Sequence, residues 1–306
     1  MTFVWRRLAA FPLTLLGVAL VVFACLELTP GDPVEIMLGE TAAAPDVMAL
    51  RHALGLDLPA VPRLLRFLWQ ALRGDLGYSI TYRAPVAAVI ASRYPATAEL
   101  AAVALLGTIA VAIPLGTLAA LRVQSAADRV ARTASLVGTC VPGFVLGPLL
   151  ILAFAMQLGW LPVSGRETAQ SVVLPAATLG IGLLGILVRL TRSAVLHSLA
   201  EPFVQTARAK GLAARRVLVA HVLRHALAPV VTVLGLQTGA LLAGAVVTET
   251  VFAWPGVGRL VVQAISARDY PLVQGCTLVL AASYVTVNLL VDLLCGVLDP
   301  RSRGDG

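Results

Sequence analysis

The chain has 306 residues, of which 58% are hydrophobic and 13% are charged, and its formal net charge is +7. A soluble domain with a single core cannot bury so much apolar sequence, so the composition excludes an ordinary soluble protein and indicates a membrane protein. The absence of a large basic soluble domain argues against nucleic-acid binding.

Six apolar runs are long enough to cross the hydrocarbon core of a bilayer, which takes about 20 residues in a helix. Because lipid offers no water to an open backbone, the chain is predicted to be an all-α polytopic membrane protein with six transmembrane helices. The runs lie between Arg7 and Glu27, between Glu99 and Arg122, from after Arg132 to near Gln157, between Glu167 and Arg189, from Ala226 to Thr248, and between Asp269 and Asp292.

The first run, residues 8–28, follows two arginines and resembles the start of a signal peptide. It is long for the apolar core of such a peptide, and no small-x-small cleavage site follows it. We therefore predict that it is retained as the first transmembrane helix.

The basic residues are distributed unevenly between the connecting segments. With the N-terminus inside, the inner segments hold fourteen of the 23 arginines and lysines, whereas the two short outer loops hold only Arg166, Arg259 and Arg268. Positively charged short loops stay in the cytoplasm. The other six lie in the long first outer segment, where the rule is weaker. The distribution therefore predicts cytoplasmic termini, residues 1–7 and 299–306.

Residues 29–97 form the largest predicted outer segment. One short helix is expected from Pro45 to Gly55 and a second from Pro62 to Arg73, with Gly74 ending the second. The second helix is amphipathic, and its polar side carries three arginines and Gln70. This small helical segment can act as a docking platform or as a lid over a pore. The apolar side of the second helix comprises Leu64, Leu65, Leu68, Ala71 and Leu72.

Residues 191–229 form the longest predicted inner segment, which we call the inner loop. Glu201 and Pro202 are expected to start a short helix that Gly211 ends, and a second helix is expected from Leu212 to about residue 227. Two helices joined by a glycine turn can dock in a partner's groove, or the loop can serve only to fix the orientation of the chain. The predicted apolar face of the second helix comprises Leu218, Val219, Val222, Leu223 and Ala226, and the helix can lie along the membrane surface.

The inner loop contains the run Phe203-Val204-Gln205-Thr206-Ala207-Arg208-Ala209-Lys210-Gly211-Leu212, and further motifs occur in a fixed order along the chain. In this order they resemble the inner-membrane permease subunits of ABC transporters, in the oligopeptide/dipeptide/nickel importer branch, and the likeness covers nearly the whole chain. The wider permease motif has Glu-Ala-Ala where this chain has Gln205, Thr206 and Ala207. The other motifs are Thr29-Pro30-Gly31-Asp32-Pro33, Gly74-Asp75-Leu76-Gly77-Tyr78-Ser79-Ile80, Leu161-Pro162-Val163-Ser164-Gly165, Phe252-Ala253-Trp254-Pro255-Gly256-Val257-Gly258-Arg259 and Asp299-Pro300-Arg301.

The resemblance implies a type I ABC importer permease fold, with a transmembrane core over residues 98–298 that includes five further helices and the inner loop. It implies a subunit of a bacterial inner-membrane importer that forms half of the path for di- or oligopeptides. Nickel, metal chelates or glutathione are alternative cargoes, and a secondary transporter is a less favoured reading. The implied partners are a second homologous permease, two ATP-binding subunits, an extracytoplasmic binding protein and membrane lipid. The residues implied to couple to the ATP-binding subunits are Thr206, Ala207, Arg208, Ala209, Lys210, Gly211 and Leu212.

No catalytic, cofactor-binding or metal-binding residue is expected on this chain. Lys210 is followed by Gly211 rather than by a hydroxyl residue, so it does not complete a phosphate-binding loop, and ATP and Mg²⁺ are expected on partner subunits. His221 and His225 lie four apart among arginines and are expected to be interfacial rather than metal ligands. An intramembrane hydrolase would need a serine–histidine pair or two aspartates within the spans, and neither pattern is present.

Three carboxylates lie at or just inside the ends of the predicted spans: Glu99, Glu249 and Asp292. A carboxylate within a membrane is costly and often functional, but the cost falls at the membrane boundary. Each is therefore a candidate for either a polar residue of the path or a residue that stabilises a helix end.

Overall fold

The computed structural model describes residues 2–28, 48 and 57–298. The chain divides into two compact units, the first made of residues 1–97 and 255–286 and the second of residues 98–254 and 287–306. The predicted helix from Pro45 to Gly55 lies outside the described residues apart from residue 48. The motif that starts at Thr29 and the C-terminal tail from residue 299 also lie outside them.

Each of the six apolar runs is helical over most of its length, as predicted. In chain order the described helices are α1 (Thr2–Glu27), α2 (Ala60–Leu72), α3 (Val86–Leu121), α4 (Ala126–Cys140), α5 (Gly143–Leu150), α6 (Val173–Ala200), α7 (Pro202–Ala209), α8 (Ala214–Arg216), α9 (Leu223–Val251), α10 (Val257–Ser266) and α11 (Tyr270–Leu298).

Shorter elements connect these helices. A π-helical segment, Ile151–Gln157, continues α5, and a second one, Val217–Val222, joins α8 to α9. A 3-10 turn, Ala169–Val172, leads into α6. Two short antiparallel strands, β1 (Tyr78–Ser79) and β2 (Ala84–Pro85), form a hairpin before α3.

Among the described residues, four helices are long and apolar enough to cross a membrane: Val86–Leu121, Ala169–Ala200, Ala214–Val251 and Tyr270–Val291. The pair formed by α4 and Gly143–Gln157 makes a fifth candidate if its two bent parts count as one span. Within α1, the described apolar stretch Phe11–Cys25 is shorter than these spans. The fold is therefore that of a helical membrane protein.

The third predicted span is not one continuous helix. It breaks after Cys140 and bends by 112° before Gly143. Val141 adopts an extended conformation, with φ −93° and ψ 116°, because the ring of Pro142 disfavours the helical conformation of the residue before it. Pro142 also lacks the N–H that a continuing helix would need.

The predicted boundary near Leu227 is wrong, because the chain is helical without interruption from Ala214 to Val251. The second helix of the inner loop and the fifth span are thus one helix. Pro229 lies inside α9 and removes only one backbone hydrogen bond. A transmembrane helix tolerates this loss, because other groups can bond to the freed carbonyl. Similarly, α3 begins at Val86, so the first turns of this helix belong to the segment predicted to lie outside the membrane.

In the first unit, a buried carboxylate at the start of α11 binds the hairpin that precedes α3. Ser79 Oγ donates a hydrogen bond to Asp269 Oδ2 at 2.6 Å, and the Thr81 backbone N–H donates to the same oxygen at 3.0 Å. Asp269 Oδ1 accepts from the Leu272 backbone N–H at 3.2 Å, so the carboxylate caps α11 and holds the hairpin against it. An apolar cluster lies beside these contacts and includes Val86, Ile90, Val257, Leu260, Leu272 and Cys276.

The second unit depends on a close crossing of α4 and α6. A Cβ atom added at Gly138 would lie 2.3 Å from the Ile181 carbonyl oxygen, and one added at Gly185 would lie 2.8 Å from the Ser135 carbonyl oxygen. Helices associate in lipid through such close packing of small residues. Gly138 and Gly185 are therefore required here by contact between two backbones.

We predict that Gly185→Ala destabilises the protein relative to Gly182→Ala. The added methyl group at Gly185 forces a backbone shift, whereas at Gly182 it would meet the Gly138 carbonyl oxygen at an ordinary 3.6 Å. Overpacking of this kind costs roughly 1–3 kcal/mol, and alanine recovers up to about 1 kcal/mol of helix propensity at either site. Thermal unfolding of the two variants in the same detergent measures the difference, and equal midpoints would contradict the close crossing.

Candidate docking surface

The turn at Gly211 ends α7 in a defined way. Glu201 is extended, with φ −68° and ψ 145°, and Pro202 occupies the first helical position, where a missing N–H costs nothing. At the other end, the Gly211 N–H donates to the Arg208 carbonyl at 2.9 Å, and the Leu212 N–H donates to the Ala207 carbonyl at 3.4 Å. Gly211 has φ +76°. These two bonds and the left-handed glycine form a Schellman motif, so the predicted glycine turn is confirmed.

The inner side of α7 is fixed to the body of the second unit. Val204 and Ala207 are buried, and they belong to one apolar cluster with Val195 of α6 and with Val217 and Val222. The spacing of the two α7 residues places them on the same face of the helix. The opposite face and the turn are exposed, and they comprise Gln205, Thr206, Arg208, Ala209, Lys210 and Gly211.

The π-helical segment changes which residues face this cluster. Val217, Val222 and Ala226 are buried, at a spacing of five and then four residues, because a π-turn contains about one residue more than an α-turn. The predicted face assumed a regular α-helix and included Val219, which is 58% exposed. That part of the prediction is wrong, whereas Leu218 and Leu223 do pack against the cluster.

His225 has two contacts within the inner loop. Its ring centroid lies 5.5 Å from that of Phe203, and its Nδ1 atom lies 3.1 Å from Ser198 Oγ. His221 and His225 are both exposed.

The exposed surface around the turn is cationic. Arg208 and Lys210 are exposed within the turn, and Arg215 and Arg216 are exposed just after it. The single acidic residue in the sequence of residues 191–229 is Glu201, whose carboxylate lies 3.4 Å from His197 Nε2. A partner that docks here would complement the turn best with acidic or neutral groups.

A cluster of three charged residues lies where α6 leads into the inner loop. The sequence analysis used the arginines of this cluster only to predict the orientation of the chain in the membrane. Asp128, in the first turn of α4, is completely buried, and its Oδ1 accepts from Arg192 Nε at 2.6 Å. Arg132 also pairs with this carboxylate, and the Gln124 backbone N–H donates to it at 2.8 Å. Because Arg192 belongs to α6, the cluster ties the first turn of α4 to the helix that leads into α7. Sequence signals for it were present: Ser125 three residues before Asp128, and Asp128 four residues before Arg132.

The three candidate carboxylates have different surroundings. Glu99 is half-buried and pairs with Arg166, whose Nε lies 2.8 Å from Glu99 Oε2 and whose guanidinium carbon lies 5.8 Å from the centre of the Trp254 ring. Glu249 is completely buried within α9, and its backbone carbonyl accepts from the Trp254 N–H at 2.8 Å. The backbone of Asp292 lies in α11, while its side chain is outside the described residues. Arg166, which the sequence analysis assigned only to an outer loop, is thus the partner of Glu99.

Two family models match consecutive parts of the chain. Residues 112–304 match the binding-protein-dependent transport system inner membrane component, and residues 1–101 match the N-terminal part of membrane components of such transport systems.

Curated relatives are similar to this chain over nearly their full lengths. The dipeptide transport system permease protein DppB of Escherichia coli (strain K12) is 41% identical, with 98% of each chain covered. The di/tripeptide transport system permease protein DppB of Pseudomonas aeruginosa (strain UCBPP-PA14) is 42% identical, with 99% of each covered. The glutathione transport system permease protein GsiC of Salmonella paratyphi A is 39% identical, with 99% of each covered.

Solved structures share the fold. The MetNI methionine ABC transporter in an inward-facing conformation matches with a TM-score of 0.55 at 16% identity, covering 69% of this chain and 96% of the matched one. An amino acid ABC transporter matches with a TM-score of 0.50 at 17% identity, covering 70% and 94%. From these matches, the chain belongs to the binding-protein-dependent transport system inner membrane components, the non-catalytic permease subunits of ABC importers.

Proposed function

We propose that this permease imports small peptides, that the turn at Gly211 docks on an ATP-binding subunit, and that both termini are cytoplasmic. The peptide assignment is supported by the identity of about two residues in five, over nearly the whole chain, to permeases named for dipeptides and for di/tripeptides. Glutathione is the second candidate cargo, because a permease named for it is 39% identical over the same length. Glutathione is itself a tripeptide, so both candidates are short peptide chains.

The observation that carries the docking proposal is an exposed turn on a buried base. Val204 and Ala207 fix α7 from below, while Thr206, Arg208 and Lys210 face outward. Because the base of α7 is packed against α6 and the helix after the turn, a partner that displaces α7 also displaces those helices. The residues assigned to this contact are Thr206, Ala207, Arg208, Ala209, Lys210, Gly211 and Leu212, of which Ala207 and Leu212 supply packing rather than exposed surface.

The proposed assembly contains this chain, a second homologous permease that forms the other half of the path, two ATP-binding subunits and an extracytoplasmic binding protein. ATP and Mg²⁺ are held by the ATP-binding subunits. The excess of arginine in the inner segments supports placing the Gly211 turn on the cytoplasmic side of a bacterial inner membrane. Residues 29–97 and residues 98–298 keep their proposed roles as outer segment and permease core.

Glu99 and Glu249, the two carboxylates whose side-chain surroundings the structure describes, are proposed to be structural rather than part of the path. Glu99 lies within α3 and is paired with Arg166 of the segment that precedes α6, so the pair holds that segment against the helix. Glu249 is completely buried where α9 meets the Trp254 turn. Neither arrangement gives a free charge for a substrate to bind, and Asp292 keeps its place as a candidate residue of the path.

We predict that Gly211→Ala uncouples ATP hydrolysis from transport, whereas Gly159→Ala does not. Both glycines have positive φ, +76° and +64°, and in neither case would an added Cβ meet another atom within 4 Å. An L-residue in this conformation costs roughly 1–2 kcal/mol, so the two variants carry the same strain and only one carries it in the proposed docking turn.

The measurement is the ratio of substrate-stimulated to basal ATP hydrolysis by the reconstituted complex. In the Gly211 variant, the substrate-stimulated rate of ATP hydrolysis is expected to fall roughly five- to thirty-fold, which is the change that about 1–2 kcal/mol makes in an equilibrium constant. Equal ratios for the two variants would contradict the docking assignment but would not affect the family assignment.

We also predict that deleting the gene abolishes growth of an amino-acid auxotroph on a dipeptide that contains the required amino acid. The strain must lack other peptide permeases, and growth on the free amino acid serves as the control. Normal growth on the dipeptide, together with lost use of glutathione as a sulfur source, would replace the peptide assignment with glutathione. Normal growth in both tests would refute both cargoes.

A further inference from the structure

The amphipathic helix α2 has an apolar side that is wider than the surface it packs on. The helix contacts α1, and its half-buried side chains are Arg63, Leu64, Phe67, Leu68, Gln70 and Ala71. Beside them lies a second apolar stripe that the described residues leave exposed. It comprises Val61, Leu65, Trp69 and Leu72, which are 67%, 61%, 58% and 83% exposed.

The charges of α2 border this stripe on one side. The helix and the residue after it carry Arg63, Arg66 and Arg73, and no acidic residue occurs between residues 60 and 73. On a helix with 3.6 residues per turn, Arg66 and Arg73 fall next to Trp69 on the edge away from α1. The guanidinium of Arg73 lies 4.5 Å from the centre of the Trp69 ring, a cation–π contact.

Arg63 fixes the level of α2 along α1. Its guanidinium pairs with the carboxylate of Glu27, the last residue of α1, and lies 6.0 Å from the centre of the Phe23 ring. The apolar stretch of α1 ends at Cys25, two residues before Glu27. If α1 spans the membrane, as the proposed function assumes, the start of α2 lies at the boundary between hydrocarbon and headgroups.

We infer that α2 lies in the surface of the bilayer, with the stripe Val61, Leu65, Trp69 and Leu72 in the acyl region and Arg66 and Arg73 against the phosphates of anionic phospholipids. Its 13 residues span about 20 Å, too short to cross the hydrocarbon core but suited to lie along it. A large apolar face with arginines on the polar edge is the pattern of interfacial helices, and tryptophan is enriched at this depth. Arg66 and Arg73 are exposed and complement an anionic surface.

Lipid is the occupant that these observations favour. The stripe is level with the end of a span, where acyl chains begin, and the bordering groups are all cationic, as a lipid phosphate requires. In this arrangement α2 anchors the outer segment to the membrane and holds the hairpin that follows it at a fixed height.

The test uses the full complex in vesicles, with a nitroxide spin label on a cysteine at position 65 or position 66 in a background whose native cysteines are replaced. Leu65→Cys reports the exposed stripe, and Arg66→Cys, which is also exposed but lies on the cationic edge of the same helix, is the matched control. The label at position 65 is expected to collide more with oxygen, which dissolves in acyl chains, and less with a water-soluble nickel chelate than the label at position 66.

Two results would overturn the inference. Equal exposure of both labels to the nickel chelate means that the stripe lies in water. An immobile label at position 65 that neither reagent reaches means that protein covers the stripe, either a partner subunit or another part of this chain.

The role of the arginines is tested with vesicles of phosphatidylcholine alone and of phosphatidylcholine mixed with phosphatidylglycerol. Phosphatidylglycerol is expected to protect the label at position 65 further from the nickel chelate. The pair Arg66→Gln and Arg73→Gln should remove that added protection, with roughly a fivefold shift for each arginine, while the two lysine variants should keep it. Protection that does not depend on phosphatidylglycerol in the unsubstituted helix would refute binding of anionic lipid.

Discussion

A bilayer offers no hydrogen-bond partner to a backbone N–H or C=O, and this constraint shapes the whole chain. Each apolar run must be helical, and the attraction between helices must come from close packing rather than from escape from water. The contact of Gly138 and Gly185 across α4 and α6 meets that need, since two backbones approach where a single Cβ atom would collide. Where a helix is interrupted, as at Pro142, the break has a local covalent cause.

The same packing connects the proposed docking surface to the membrane helices. α6 runs from Val173 to Ala200 and leads directly into α7. It is held to α4 at two levels, by the glycine crossing and by the salt bridge between Asp128 and Arg192. A displacement of α7 therefore acts on α4 and α6 as a pair. The buried cluster around Val204 also joins α7 to the helix that continues as α9, so that helix is displaced as well.

Transport needs more than a rigid link. ATP and substrate can drive the permease between two states only if each binds those states with different affinity. In the proposed function, the exposed cationic turn is the surface that the ATP-binding subunits engage, and the position of that surface depends on the spans because the base of α7 is buried against them. The chain thus needs no chemistry of its own.

Hydrophobic patterning was sufficient to predict the helical fold, because runs of apolar residues leave no other structure in lipid. The turn at Gly211 was also predictable, because a glycine after a short helix with a Pro202 start is a local signal. The face of the following helix was not, since a π-turn shifts the register by one residue and has no signature in the periodicity of Leu218 to Ala226.

Contacts between distant residues were equally hidden from the sequence. The pairing of Glu99 with Arg166 and of Asp128 with Arg192 depends on which helices become neighbours. Asp269 appeared only as the end of a span, although an aspartate just before Tyr270 and Pro271 is a typical helix cap.

The most direct measurement is photo-crosslinking from a single unnatural residue at Thr206 in the assembled complex, with the same residue at Val163 in the loop after the third span as the control. The account predicts a crosslink from position 206 to an ATP-binding subunit, with a yield that changes when ATP is added, and none to that subunit from position 163. Crosslinks from position 206 only to lipid or to other parts of this chain, with and without ATP, would contradict the account.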